Sequence, residues 1–191
     1  MAMPRAAPRL LKGPFTVADY HRMAETGVLR PDARVELLDG QVVAMSPIGS
    51  RHAGCVNRLN RMLLQAVGSR ATVGIQNPAI LDDFSEPQPD VAVLKYRTDG
   101  YAERHPEPDD VLLLIEVMVT SADFDRDVKV PLYARAGIAE VWLVDLEAGR
   151  IEIYREPGDA GYAVVRTAGR GDNLTPLRLS SVTLPGADIL G

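Results

Sequence analysis

Three stretches of sequence decide the fold: 86-EPQPDVAVL-94, 110-DVLLLIEVMV-119 and 125-DRDVKVPLYARAG-137. The first two contain continuous runs of Val, Leu and Ile, which are typical of strands covered on both faces of a sheet. Asp90 precedes the first run and Glu116 lies within the second, while Lys129 lies in the third stretch. Two carboxylates and a lysine that converge at strand ends can hold a divalent metal and stabilise a developing oxyanion. The pattern therefore favours phosphodiester chemistry over a simple structural use of charge.

The rest of the sequence predicts elements on either side of these stretches. Capping residues and apolar residues at helical spacing predict helices over residues 15–27, 51–68 and 125–137. Asp39-Gly40 joins two short apolar runs and predicts a β-hairpin. Strands are predicted over residues 71–76, 91–94, 111–119, 139–145, 150–156 and 162–168, with 182–191 as a further edge. We therefore expect an α/β fold: a mixed central sheet flanked by helices, with an antiparallel β extension at the C-terminus.

Composition limits the class of protein. The chain has 191 residues, 46% hydrophobic and 25% charged, which predicts one domain over residues 15–191 after a flexible tail at 1–14. No apolar run reaches the roughly 20 residues of a membrane span, and no signal peptide is recognisable. Cys55 is the only cysteine, which excludes disulfides and cysteine-based zinc sites and fits a cytoplasmic location. The net charge of −5 argues weakly against nucleic-acid binding.

The position of Glu116 within an apolar run requires an explanation. A buried carboxylate must be protonated, paired with a cation or bound to a metal, so a structural salt bridge and a functional site both remain open. On a helix, Asp125, Lys129 and Tyr133 share a face, which would bring Lys129 towards the carboxylates. The alternative is an ordinary exposed Asp–Lys pair. Pro131 lacks an amide hydrogen, so we expect either a helix that begins near Asp127, with Pro131 close to its first turn, or a kink.

Other polar residues are weaker candidates. Glu36 points away from its two apolar neighbours in the hairpin, towards solvent or into a site. His52 lies in the first turn of the second helix, where a solvated or capping role is the alternative to a ligand. His21 and His105 have no partner in the sequence pattern and are interpreted as surface residues. The HExxH, P-loop and GxSxG motifs are absent, so zinc peptidases, nucleotide triphosphatases and α/β-hydrolases lack support.

With these residues in place, the chain resembles the Uma2 family (DUF820) of the PD-(D/E)xK restriction-endonuclease-like superfamily. The matching stretches are VELLDGQVVAMSPIGSRHAGCVNRL (35–59), QNPAILDDFSEPQPDVAVL (76–94), LLLIEV (112–117) and FDRDVKVPLYARAGIAEVWLVDLEAGRIEIYR (124–155). They span most of residues 15–165. The segment YARAGIAEVWLVD, which follows the PD and IEV elements in this order, makes the resemblance specific.

The resemblance implies a restriction-endonuclease-like sheet with a metal site at strand ends. It makes Asp90 the motif aspartate and Glu116 the second carboxylate. Met118 stands two positions after Glu116, where the standard motif has its lysine. The resemblance implies that Lys129, on the following helix, takes that role.

The leading hypothesis is a Mg²⁺- or Mn²⁺-dependent endonuclease that acts on DNA. Asp90, Glu116 and the carbonyl oxygen of Val117 would bind the ion, since hard oxygen ligands suit Mg²⁺ and Mn²⁺. Lys129 would orient or help to deprotonate the attacking water and stabilise the charge that develops on the phosphate.

Three further residues complete the hypothesis. Glu36, which matches an early glutamate of the family, could bind a second metal or a metal-bound water. His52, which matches a recurrent histidine, or Gln76 could contact the phosphate. The rival is a catalytically weak or inactive nuclease-fold protein that binds nucleic acid or protein, favoured by the acidic balance and the apolar Met118-Val119 pair. A homodimer that pairs through the C-terminal strands is a further expectation.

Overall fold

A six-stranded mixed sheet forms the centre of the computed structural model, which describes residues 13–119 and 124–191. Its strands are β3 (Ala71–Ile75), β4 (Val91–Lys95), β5 (Val111–Met118), β6 (Glu140–Asp145), β7 (Arg150–Gly158) and β8 (Gly161–Ala168). The strands lie side by side in this order. Strands β5 and β6 are parallel and all other neighbours are antiparallel. The predicted mixed α/β sheet is thus confirmed, whereas the tail predicted at 1–14 lies outside the described residues except for its last two.

Helices cover both faces of the sheet. The helix α2 (Ser50–Val67) packs on one face, and its predicted apolar stripe of Val56, Leu59, Leu63 and Val67 is buried there. The helix α3 (Val130–Arg135) packs on the other face, in a cluster that includes Leu114, Met118 and Leu143. Because the central strands are covered on both sides, they consist of continuous apolar runs rather than alternating ones.

The segment before α3 departs from a regular helix. Residues Asp125–Lys129 form a π-helical turn in which the Val130 amide donates to the carbonyl oxygen of Asp125. Pro131 follows in the first turn of α3, where its missing amide hydrogen costs no helical hydrogen bond. The helix predicted over 125–137 is therefore two elements, and the proline lies close to the start of the second, as expected.

A helix and a hairpin precede the sheet. The helix α1 (Val17–Glu25) begins with a capping box between Thr16 and Asp19. The strands β1 (Val35–Leu38) and β2 (Gln41–Ala44) form the predicted hairpin, and its turn residues Asp39 and Gly40 have φ values of 46° and 73°. Positive φ at both positions is what a type I′ turn requires.

The C-terminal residues confirm one prediction and correct another. Strands β7 and β8 form the predicted antiparallel hairpin. Residues 182–191 do not form an edge of the central sheet: the short strands β9 (Asn173–Leu174) and β10 (Leu184–Pro185) pair with each other, and α4 (Gly186–Leu190) follows. The physical reason is that Leu184, Ile189 and Leu190 are buried in the cluster beneath α2. No helix within the described ranges combines the length and the apolar character that a membrane crossing needs.

Candidate active site

A cleft of about 660 Å³ lies where the segment before β4 meets the end of β5. The residues that the sequence assigned to a site all line it: Glu36, His52, Gln76, Asp90, Glu116, Val117 and Lys129. They come from β1, the start of α2, the residue after β3, the strands β4 and β5 with their flanks, and the π-helical turn. The fold therefore brings the whole predicted set together, and the catalytic roles of its members stay a prediction.

Glu116 points from β5 towards the helix that covers it. Its side chain is buried, and its Oε1 atom accepts hydrogen bonds from the Tyr133 hydroxyl at 2.6 Å and from Lys129 Nζ at 3.3 Å. Lys129 and Tyr133 are four residues apart, so they present the same face to Glu116 as the spacing predicted. Glu116 is thus held by two donors, Lys129 at the end of the π-helical turn and Tyr133 in α3.

Lys129 is buried rather than half of an exposed surface pair. Its exposed fraction is 5%, and Nζ lies 3.1 Å from Glu36 Oε2 and 3.3 Å from Glu116 Oε1. The same Glu36 oxygen accepts a hydrogen bond from the Gln88 amide at 3.1 Å. Burial disfavours the ammonium, yet the neighbouring carboxylates raise the pKa of Lys129 above its ordinary value. One ammonium group therefore bridges two buried carboxylates.

Asp90 is held by donors on every side. Its Oδ2 atom accepts a hydrogen bond from the Val117 amide at 2.9 Å and lies 2.9 Å from His52 Nε2, while Oδ1 accepts from the Gln76 amide group at 3.2 Å. The Asp90 amide in turn donates to Glu116 Oε2 at 3.2 Å. Burial opposes ionisation, but the bonds from His52, Val117 and Gln76 hold the pKa of Asp90 below its usual range.

The two neighbouring carboxylates have unequal acidity. Burial raises the pKa of Glu116 to about 8, opposed by the Lys129 ammonium and increased further by the charges of Asp90 and Asp125. Asp90, with a lowered pKa, is therefore the stronger acid of the two, and Glu116 retains a proton to a higher pH. A metal ion that binds Glu116, in addition to the Lys129 ammonium, would therefore compete with a proton.

Sequence reasoning missed residues in and around the cleft. It placed Tyr133 on the same helical face as Lys129 but assigned it no role. The spacing of four residues was the available signal that both side chains could contact one partner, which is Glu116. Arg34 and Arg51 also line the cleft and are exposed. No local motif marks these arginines, because they reach the cleft from the start of the hairpin and the first turn of α2.

The interpretation of His21 as a surface residue without a partner is wrong. Its Nε2 atom lies 2.6 Å from Oε2 of Glu86, which is buried. The ring of His105 lies edge-on to that of His21, with centroids 6.1 Å apart. These partners are separated by tens of residues in sequence, so no local spacing could have revealed them.

Comparisons with known proteins agree with this architecture. Residues 17–186 match the model of the Uma2 family, which is described as "Putative restriction endonuclease". The chain is also similar to a crystal structure described as "a putative nuclease belonging to DUF820 from Anabaena variabilis ATCC 29413", with a TM-score of 0.71 and 14% identity. That alignment covers 93% of this chain and 98% of the other, and at this identity it shows the fold alone. None of the curated proteins matches the chain in sequence.

Proposed function

Since the chain belongs to the Uma2 family of restriction-endonuclease-like proteins, we propose that it is a metal-dependent nuclease that hydrolyses DNA phosphodiester bonds. The observation that carries the proposal is the linked arrangement of Asp90, Glu116 and Lys129 in one cleft. Two carboxylates and an ammonium held within hydrogen-bond contact are the groups that phosphoryl chemistry requires: anionic oxygens for a cation, and a donor for the developing charge.

The donor set of the cleft suits a hard divalent cation. The Asp90 and Glu116 side chains offer carboxylate oxygens, and the Val117 amide points at Asp90. In a strand the N–H and C=O of one residue face the same side, so the Val117 carbonyl oxygen lies on that side too. All three ligands are oxygens, which favours Mg²⁺ or Mn²⁺. A bound ion would polarise the phosphate and lower the pKa of a coordinated water.

In this proposal Lys129 acts as a donor. Its raised pKa keeps it an ammonium at neutral pH, so it orients the attacking water and stabilises phosphate charge, and it does not accept the proton itself. Glu36 fixes the direction of the Lys129 side chain, and it could also hold a second ion or its water. Tyr133 fixes Glu116 from α3, which follows directly.

His52 and Gln76 position Asp90 and face the substrate. Both side chains contact the Asp90 carboxylate and line the cleft wall, so a phosphate that enters beside Asp90 would meet the imidazole or the amide group. The exposed guanidinium groups of Arg34 and Arg51 supply positive charge at the same opening. This local charge lets a chain of net charge −5 attract a nucleic-acid backbone.

The test is cleavage of plasmid and single-stranded DNA with Mg²⁺ or Mn²⁺. We expect the wild type to cut, and Asp90→Asn and Lys129→Met to lose most of the activity. Lys95→Met is the matched control, because Lys95 is an exposed lysine at the end of β4 and its loss should leave the rate unchanged. Equal rates for all four proteins would overturn the proposal.

A binding module without hydrolysis is the second candidate. It is favoured by the fact that all four carboxylate oxygens of Asp90 and Glu116 already contact protein donors. Such a network can stabilise the fold without any ion. Titration with Mg²⁺ and Mn²⁺ separates the two functions, since a chain that retains DNA in a filter assay yet binds neither ion is a module.

We further propose that the protein forms a homodimer through its C-terminal strands. Strand β8 ends the central sheet on one side, and its residue Val165 exposes 54% of its surface. An exposed edge of this kind pairs readily with a second strand. Light scattering of the wild type and of Val165→Lys tests this: a monomeric wild type would exclude the dimer.

A further inference from the structure

A second group of metal-ligating side chains lies outside the cleft. His21 on α1, Glu86 ahead of β4 and His105 in the loop of residues 96–110 each offer a ligand atom, and these atoms lie within 4.8 Å of one another. Among residues 13–119 and 124–191, these three side chains are the group of His, Cys, Asp or Glu that could hold a metal ion by this distance. None of the three lines the cleft around Asp90.

The backbone that carries these ligands is fixed independently of them. Glu86 exchanges two backbone hydrogen bonds with Leu37, at 2.7 and 3.3 Å. The carbonyl oxygen of Pro106, next to His105, accepts a hydrogen bond from the Ile80 amide at 2.9 Å. The ligands are therefore presented by ordered segments, as a preorganised site requires.

The chemistry of this group differs from that of the cleft. Two imidazole nitrogens and one carboxylate are the ligands of zinc sites that keep a fourth position for water. An ion with bonds of about 2.0–2.1 Å in a tetrahedral site separates its ligand atoms by roughly 3.3 Å. The contact of 2.6 Å between His21 and Glu86 must open slightly, which the half-exposed His21 ring permits. The His105 ring, which is not buried, would approach from the loop.

We propose that His21, Glu86 and His105 bind a zinc-class divalent ion, with water as the fourth ligand. Such an ion would join α1 and the 96–110 loop to the segment that leads to Asp90, four residues after Glu86. Imidazole ligands favour Zn²⁺, Ni²⁺ or Cu²⁺ over Mg²⁺, so the two sites select different ions. The proposal does not depend on nuclease activity, because its direct consequence is ion binding.

The experiment is a titration of the chelator-treated full chain with Co²⁺, in excess Mg²⁺ that occupies oxygen-only sites. Visible absorption reports the binding of Co²⁺ to nitrogen ligands, and Zn²⁺ is then added as competitor. His105→Asn removes a ligand that is not buried and leaves the core undisturbed, and circular dichroism checks its fold. His52→Asn is the matched control, because it removes the one histidine that lies in the cleft.

We expect one Co²⁺ ion to bind per wild-type chain and to be displaced by Zn²⁺. His105→Asn should bind Co²⁺ at least about 10-fold more weakly, since a loss of this size already follows when only the residues around the ligands are changed. His52→Asn should bind like the wild type. A wild type without Co²⁺ absorption, or equal affinity in His105→Asn, would leave His21 and Glu86 as a plain ion pair. Loss of binding in His52→Asn would place the ion in the cleft. Mg²⁺-dependent DNA cleavage by His105→Asn reports the nuclease proposal separately.

Discussion

Replacing Lys129 with Met tests whether the ammonium holds the cleft together. Met has a similar volume and no charge, so the substitution leaves Glu36 and Glu116 buried without the cation that bridges them at 3.1 and 3.3 Å. Removing one partner of a buried ion pair typically costs about 3–5 kcal/mol. For a chain of this length, each kcal/mol corresponds to roughly 2–4 °C in Tm, which predicts a decrease of about 6–20 °C.

The cost of Lys129→Met should depend on pH. Burial raises the pKa of Glu116 to about 8 from an ordinary value of 4.5, and loss of the ammonium raises it further. The protonated side chain favours the folded state, so its contribution to stability is fully present below about 4.5 and is lost as pH rises through the folded pKa. We therefore expect a cost of about 1–3 kcal/mol at low pH, where Glu116 holds a proton in both proteins. The cost should increase above pH 8, where Glu116 ionises in the wild type and the variant has no ammonium to pair with it.

Urea unfolding between pH 5 and 9 measures this directly. Lys95→Met removes an exposed lysine at the end of β4 and should change the free energy of unfolding by less than about 0.5 kcal/mol. The double variant Lys129→Met/Glu116→Gln should recover part of the loss, because the amide carries no charge to be left unpaired. If Lys129→Met were as stable as the wild type at every pH, or if the two substitutions were additive, the bridging role of Lys129 would be refuted.

Three further predictions concern Tyr133, Glu116 and Arg155. Tyr133→Phe removes the donor at 2.6 Å from Glu116 and should lower the free energy of unfolding by about 1–3 kcal/mol in urea titrations; an unchanged midpoint would contradict it. Mg²⁺ affinity, measured by calorimetry, should rise up to tenfold per pH unit towards pH 8, because the ion must displace the proton of Glu116. Glu116→Gln should bind Mg²⁺ weakly at every pH, and a wild-type Mg²⁺ affinity that does not change with pH would contradict this reasoning. Arg155→Met leaves the fully buried Glu140 without its guanidinium partner at 2.7 Å and should cost about 3–5 kcal/mol while Mg²⁺ affinity is unchanged; coupled losses of both would show that the two networks are not independent.

Much of the fold was predictable because its determinants are local. The runs at 91–94 and 111–119 are typical of strands covered on both faces, and Asp39-Gly40 is typical of a hairpin turn, as the structure confirms. The C-terminal segment was mispredicted because its apolar residues, which also suit a strand, are buried beneath α2. Burial against a helix that is distant in sequence is a tertiary effect, so it cannot be predicted from the local sequence of the segment.

The site was predictable to the extent that its spacing is periodic. The spacing of four residues between Lys129 and Tyr133 predicted the helical face on which both side chains lie, and this face contacts Glu116. The contacts that join distant segments were not predictable: the Gln88 amide on Glu36, and His21 on Glu86. These depend on the pairing of β1 with the segment before β4, which is a property of the folded chain.

The position of the lysine follows from what covers the sheet. A lysine at position 118 would share the face of Glu116, as residues two apart on a strand do. In this chain that position is fully buried in the apolar cluster with Val130 of α3, where Met packs without an unpaired charge. The helical segment that covers this same face of the sheet instead supplies the ammonium to Glu116. Its π-helical turn ends at Lys129, directly before the helix that contains Pro131, and π-helical turns occur frequently at functional sites. The chemistry requires only that the ammonium lie beside the carboxylates. A lysine on the strand and a lysine on the covering helical segment both meet this requirement.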